Sequence, residues 1–103
     1  MKTKQITMVR VYLTEGHAQL DSLMRRMHDW EKVRGLTVFR GITGFGESGT
    51  VHTAKWIDLA MDLPIVVEFF DEPSKVEEIL EHLQHIVKPG HMTWWSANTH
   101  EAE

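Results

Sequence analysis

The side chains best suited to chemistry concentrate in one segment of this 103-residue chain, Arg40 to Lys55 (RGITGFGESGTVHTAK). Gly41, Gly44, Gly46 and Gly49 are four of its seven glycines. A glycine has no Cβ and admits positive φ, so successive backbone N–H groups in such a stretch can turn toward one anion. Arg40, His52 and Lys55 bracket the stretch with positive charge, and Ser48 adds a hydroxyl. Arg40, Gly41, Gly44, Gly46, Ser48, Gly49, His52 and Lys55 are therefore the candidate ligand-binding residues, for a phosphate or a carboxylate. The spacing matches neither the G-x-x-x-x-G-K-[ST] loop nor G-x-G-x-x-G between a strand and a helix. A connection built on ordinary turn glycines is the competing reading.

The seven histidines are the second chemical resource. His82 and His85 lie three apart, near Glu78 and Glu81, so one helix turn could offer a divalent cation two imidazoles, an open site without a third ligand. His17, His28, His91 and His100 are scattered and read as surface or partly satisfied side chains. No nucleophile elbow, H-E-x-x-H or paired-carboxylate pattern occurs, and with no cysteine there is no thiol nucleophile or cysteine-ligated metal. Ser48 and His52 are four apart but lack an orienting acid on a rigid frame. No catalytic residue, metal or cofactor is assigned, and the chain is expected not to be an enzyme. The enzymatic alternative is an active site completed by an adjacent subunit, with His52 as general acid or base.

These residues must be held by regular elements, and the hydrophobic periodicity supplies them. Ile6–Leu13 reads as a strand. From Ala18 to about Arg34, Leu20, Leu23, Met24, Met27 and Trp30 form a helical stripe that Gly35 ends. Leu36–Ile42 reads as strand, and Val51–Met61 fits helix or strand equally. Leu63–Phe70 (LPIVVEFF), nearly all β-branched or aromatic, reads as the most buried strand, with Pro64 tolerated at its start. Asp71 or Ser74 can cap a helix opened by Pro73, whose face is Val76, Ile79, Leu80, Leu83, Ile86 and Val87, ending at Pro89-Gly90. About His91–Asn98 forms a last strand. Residues 1–103 thus read as one domain with a loop over about 41–62 and a polar tail over about 98–103.

The order strand, helix, strand, strand, helix, strand is the α+β, ferredoxin-like βαββαβ arrangement, a four-stranded antiparallel sheet with two helices on one face. The other face is left bare, and strands apolar on both sides would expose a large patch there, so an oligomer is expected. Trp94 and Trp95, adjacent on a strand, point to opposite faces, one into the helix-side core and one to a partner or solvent. The composition, 42% hydrophobic and 25% charged, excludes a disordered or fibrous chain. Net charge is -4, which argues against nucleic acid as a partner. Residues 1–55 carry nine Lys/Arg against five Asp/Glu, a net of +4, and residues 56–103 carry two against ten, a net of -8. No apolar run approaches the roughly 18 residues of a membrane span, and the reading is a cytoplasmic protein without membrane insertion.

The series VFRGITGFGESGTVHTAKWIDLAMDLPIVVEFFD, with PSKVEEILEHL and the opening VRVYLTEG, resembles the PII-like family known as domain of unknown function 190, over about Ile6–Trp95. That resemblance implies a ferredoxin-like core assembled as a homotrimer, related to PII signal-transduction proteins and more distantly to CutA. In PII proteins the connection between the second and third strands is an effector loop, and small ligands, typically adenine nucleotides, sit in clefts between subunits at its base. Here that connection is Gly41 to about Asp62. The second phosphate-holding loop of PII proteins is replaced by Val87-Lys88-Pro89-Gly90-His91, and the loop has no tyrosine to modify. The function implied is a sensor for a small anionic ligand that signals to a target protein through the loop. Handling of divalent metal in the manner of CutA, through His82, His85 and nearby Glu residues, is the alternative.

Overall fold

Alternation of side chains along the strands decides which residues form the core. The computed structural model describes residues 1–13, 16–45, 52–53 and 63–103. Strand β1 spans Lys2–Leu13, β2 Leu36–Arg40, β5 Ile65–Asp71 and β6 Met92–Glu101, and these make one sheet in the order β2-β5-β1-β6, antiparallel throughout. Helices α1 (Gly16–Arg25) and α2 (Pro73–Leu83) supply the remaining layer. This is the expected ferredoxin-like order. Two short strands, β3 (Thr43–Gly44) and β4 (His52–Thr53), add a hairpin at the root of the connection between β2 and β5. Val51–Met61, for which helix and strand were equally open, lies outside the described residues apart from His52 and Thr53.

In β1 and β5 every second residue enters the core: Val9, Val11 and Leu13, with Ile65, Val67 and Phe69 in register beside them. Leu23 and Met27 from the first helix and Val76, Ile79 and Leu83 from α2 close over them. Hiding a side chain of this size is worth about 1.5–3 kcal/mol, so this cluster dominates the stability of the fold. Ile86, expected on the same face, is exposed, because α2 ends at Leu83 and the N–H groups of Ile86 and Val87 turn back to its carbonyl.

The first helix departs from its expected course. After Arg25 it widens into a π-helical turn, Arg26–Glu31, closed by Lys32 in the left-handed region at φ 53°, whose N–H bonds the Met27 carbonyl. A π turn holds about 4.4 residues instead of 3.6 and rotates the side chains beyond it about the helix axis. The residue aligned after Met27 is thus Glu31, which is buried, while Trp30 is 80% exposed and Met24 is also exposed. The helix therefore ends before Arg34, and Gly35 is not its stop.

At the start of α2 the N-cap is Glu72, with no side-chain cap, and Pro73 occupies the first turn. Asp71 does not cap the helix but ties it to the segment before β2. Its buried carboxylate accepts from the N–H groups of Glu72 (2.9 Å) and Arg34 (3.3 Å) and pairs with Lys75 at 3.2 Å. Burial pushes its pKa up, but these partners outweigh burial and hold the carboxyl below its usual range.

Residues Lys2 to Ile6 pair only with β6, from Ala97 to Glu101, so β1 and β6 run on as a two-stranded ribbon past the end of β5. Trp94 lies opposite Val9 on the helix side, and Trp95 lies opposite Met8 on the other face. The two indoles do point apart, yet neither is buried. Trp94 remains 55% exposed in the groove between β6 and α2, beyond the reach of the core.

Candidate functional site

Strand β2 delivers Arg40 to the edge of the sheet opposite Ile65, and the chain then turns across the start of β5. Gly41 donates its N–H to the carbonyl of Pro64 at 2.7 Å. A Cβ on Gly44 would come within 2.7 Å of the Pro64 ring, and one on Gly41 within 3.3 Å. Close packing against the proline ring thus requires a glycine at Gly44 and leaves little room for a side chain at Gly41. Among the described glycines only Gly90 has positive φ, at 83°, so Gly41 and Gly44 do not use the left-handed freedom that an anion nest would draw on.

Beyond this pinned root, Thr43 pairs with Thr53 and Gly44 with His52. The hairpin brings the backbones of Gly44 and His52, eight residues apart, side by side next to Arg40 and Gly41. Ile42 and Phe45 stand almost fully in solvent here. Gly46, Ser48, Gly49 and Lys55 lie outside the described residues. Pro64 was missed as part of the site, since in the sequence it reads only as a permitted strand start; what makes it matter is contact with residues twenty positions earlier.

The open face of the sheet begins at the same edge. Cross-strand register places Phe39, Val66 and Tyr12 in one row, Thr37, Glu68, Arg10 and Thr93 in the next, then Phe70, Met8 and Trp95. Phe39, Tyr12 and Trp95 are 39–47% exposed, and no described helix or strand lies over them. In their midst Arg10 donates to Glu68 at 2.8 Å and stands 5.7 Å from the Trp95 ring. Glu68, followed by the Tyr12 hydroxyl, raises the pKa of Arg10 above its ordinary value. An apolar face with a charge neutralised at its centre is suited to burial against another protein surface.

The two histidines expected to act together are drawn apart. His82 Nδ1 lies 3.0 Å from both carboxylate oxygens of Glu31, which also accepts from Arg26 Nε at 3.1 Å, so His82 is taken up in tying α2 to the π turn. His85 borders a different cavity. Among the described residues no three of His, Cys, Asp or Glu converge as a metal site, and no helix is long and apolar enough to cross a membrane.

Fold and sequence together define a class. Residues 6–99 match the family model of domain of unknown function 190, described as "Uncharacterized ACR", and the chain belongs to that family. It is 38% identical over 52 residues to a UPF0166 protein of Aquifex aeolicus, a match spanning half of each chain. It is 29% identical over 84 residues to a UPF0166 protein of Methanocaldococcus jannaschii, covering 78% of this chain and 77% of that one. Among solved structures it is similar to CPII of Thiomonas intermedia K12, a nitrogen regulatory PII-like protein bound to ADP, AMP and bicarbonate. The TM-score is 0.66 at 15% identity, covering 96% of this chain and 97% of that one. The divalent ion tolerance protein CutA1 of Ehrlichia chaffeensis is similar as well, with a TM-score of 0.61 at 10% identity over 95% and 84% of the two chains. The fold is thus shared with PII-like and CutA proteins.

Proposed function

We propose that this protein is a non-enzymatic PII-like sensor, a homotrimer that binds a small anionic ligand, an adenine nucleotide foremost, in clefts between subunits. Signalling to a target protein runs through the connection between β2 and β5. The observation that carries this reading is the adjacency of the pinned loop root, Arg40 to Gly44, and an uncovered aromatic sheet face ending at the same edge. A second copy covering that face would bring its own surface up to the loop root and turn an open edge into a cleft. The binding of ADP, AMP and bicarbonate by CPII, on the same fold, supports the ligand class. Arg40 would supply charge at the cleft, with the backbones of Gly41, Gly44 and Gly46 approaching the anion and Ser48, Gly49, His52 and Lys55 completing the contact. Ordering of the loop by these contacts is the switch, and its size is limited by the ligand's preference for the ordered state.

Calorimetric titration with ADP and AMP, on wild type and Arg40→Ala, tests the site. Saturable binding by wild type, weakened at least about tenfold by loss of a charge-assisted contact in Arg40→Ala, is expected. Equal affinity in the two proteins would remove Arg40 from the site, and nucleotide recovered hydrolysed would make the protein an enzyme.

A further inference from the structure

Trp30 belongs neither to the open sheet face nor to the loop root, yet it stands largely in solvent on the helical layer. The frame behind it is fixed, because the next residue, Glu31, is buried and bound by both Arg26 and His82. The charges around the indole do not cancel. Asp29 is taken up by His28 at 2.8 Å. Arg25 and Lys32 are exposed, and neither side chain has a carboxylate partner among the described residues. Arg25 precedes Trp30 by five residues, the spacing that a π turn brings together, and Lys32 follows it by two.

On the same layer a groove of about 500 Å³ runs between α2 and β6. Val76, Leu80, Met92 and the half-exposed Trp94 give it an apolar lining. Glu77 and Glu81 line its α2 side, and no lysine or arginine borders it. Glu81 accepts from Gln84 at 2.9 Å, while Glu77 has no partner among the described residues. Each feature thus carries what the other lacks. A tryptophan hides about 150–250 Å² when covered, and tryptophan and arginine are the residues most concentrated where interfaces hold tightest. We infer that the groove between α2 and β6 receives Trp30 of a second copy, with Arg25 and Lys32 of that copy set against Glu77 and Glu81. A second copy is the occupant because both halves of the match, apolar and electrostatic, are present on one chain, and Trp30 is left uncovered by its own. The inference rests on the homotrimer proposed above and names one contact within it. Two different patches meet, so each copy gives an indole to one neighbour and receives one from another, the kind of contact that closes into a ring. No residue of the loop root takes part.

Sedimentation equilibrium on the full chain tests this, comparing wild type with Trp30→Ala and with Glu77→Lys plus Glu81→Lys. These residues are exposed, so circular dichroism should show the fold retained in every variant. Wild type should assemble, and Trp30→Ala should weaken assembly at least about tenfold. The two lysine substitutions should weaken it as well, and adding Arg25→Glu and Lys32→Glu to the same chain should restore it. In a mixture of isotope-labelled and unlabelled wild type, a zero-length carbodiimide should join Lys32 of one chain to Glu77 or Glu81 of another. An assembled wild type that Trp30→Ala leaves unchanged, with no such cross-link, overturns this contact and leaves the homotrimer standing. Loss in Trp30→Ala without restoration by the four reversals overturns the groove as the seat of the indole. A wild type that stays monomeric overturns both readings.

Discussion

At the scale of single residues, the side chains that determine the architecture are buried polar ones. Asp71 gathers two backbone N–H groups and Lys75 at the junction of β5, α2 and the segment before β2. Its carboxyl titrates lower in the folded protein than in the unfolded chain. The stabilisation is therefore complete above the unfolded value, near pH 4, and is lost as pH falls through the lower folded value. Asp71→Asn should cost about 1–3 kcal/mol at pH 7, the range for a buried charged hydrogen-bonded group. The difference from wild type should shrink steadily below about pH 4, in urea unfolding followed across pH. A gap that stays constant with pH would show that the charge of Asp71 is not what stabilises the junction. Nothing in the sequence distinguishes this aspartate from a helix cap, because Pro73 at the first turn invites that reading and the partner at Arg34 is 37 residues away.

The π turn is the clearest case at the scale of an element. Up to Met27 the apolar stripe of the first helix follows the expected spacing at Leu20, Leu23 and Met27, which pack on the core, while Met24 is exposed. The wider turn then puts Glu31 inward and Trp30 outward. Trp30→Ala should accordingly change stability by less than about 0.5 kcal/mol in the free chain, whereas Met27→Ala should cost about 2–5 kcal/mol. Comparable losses in thermal unfolding would restore the regular helix. Strand identities and helix faces were legible because period 2 and period 3.6 leave marks in the chain. The π turn leaves none, and the contact of Glu31 with His82 that accompanies it is made 51 residues away. The glycine cluster stands out in the sequence, but the role of two of its members does not: the Pro64 ring excludes a side chain at Gly44 and crowds Gly41.

For the whole molecule, the uncovered sheet face sets the expectation. Val66 lies between Phe39 and Tyr12 in register, at the middle of the aromatic row. Introducing a charge there, Val66→Glu, should dissociate the proposed trimer into folded monomers, read by sedimentation with the backbone NMR spectrum retained. Burying one unpaired carboxylate at an interface core costs about 2 kcal/mol or more per site. A wild type that sediments as a monomer would refute the assembly itself, while a Val66→Glu trimer would move the interface to another surface. The bond from Gly41 to Pro64 also acquires a mechanical meaning at this scale. Pro64 is followed directly by Ile65, which is 1% exposed in the core. Any pull or twist delivered through the residues beyond Gly44 meets a fulcrum anchored next to a fully buried strand residue. To displace that fulcrum is to loosen the interior itself.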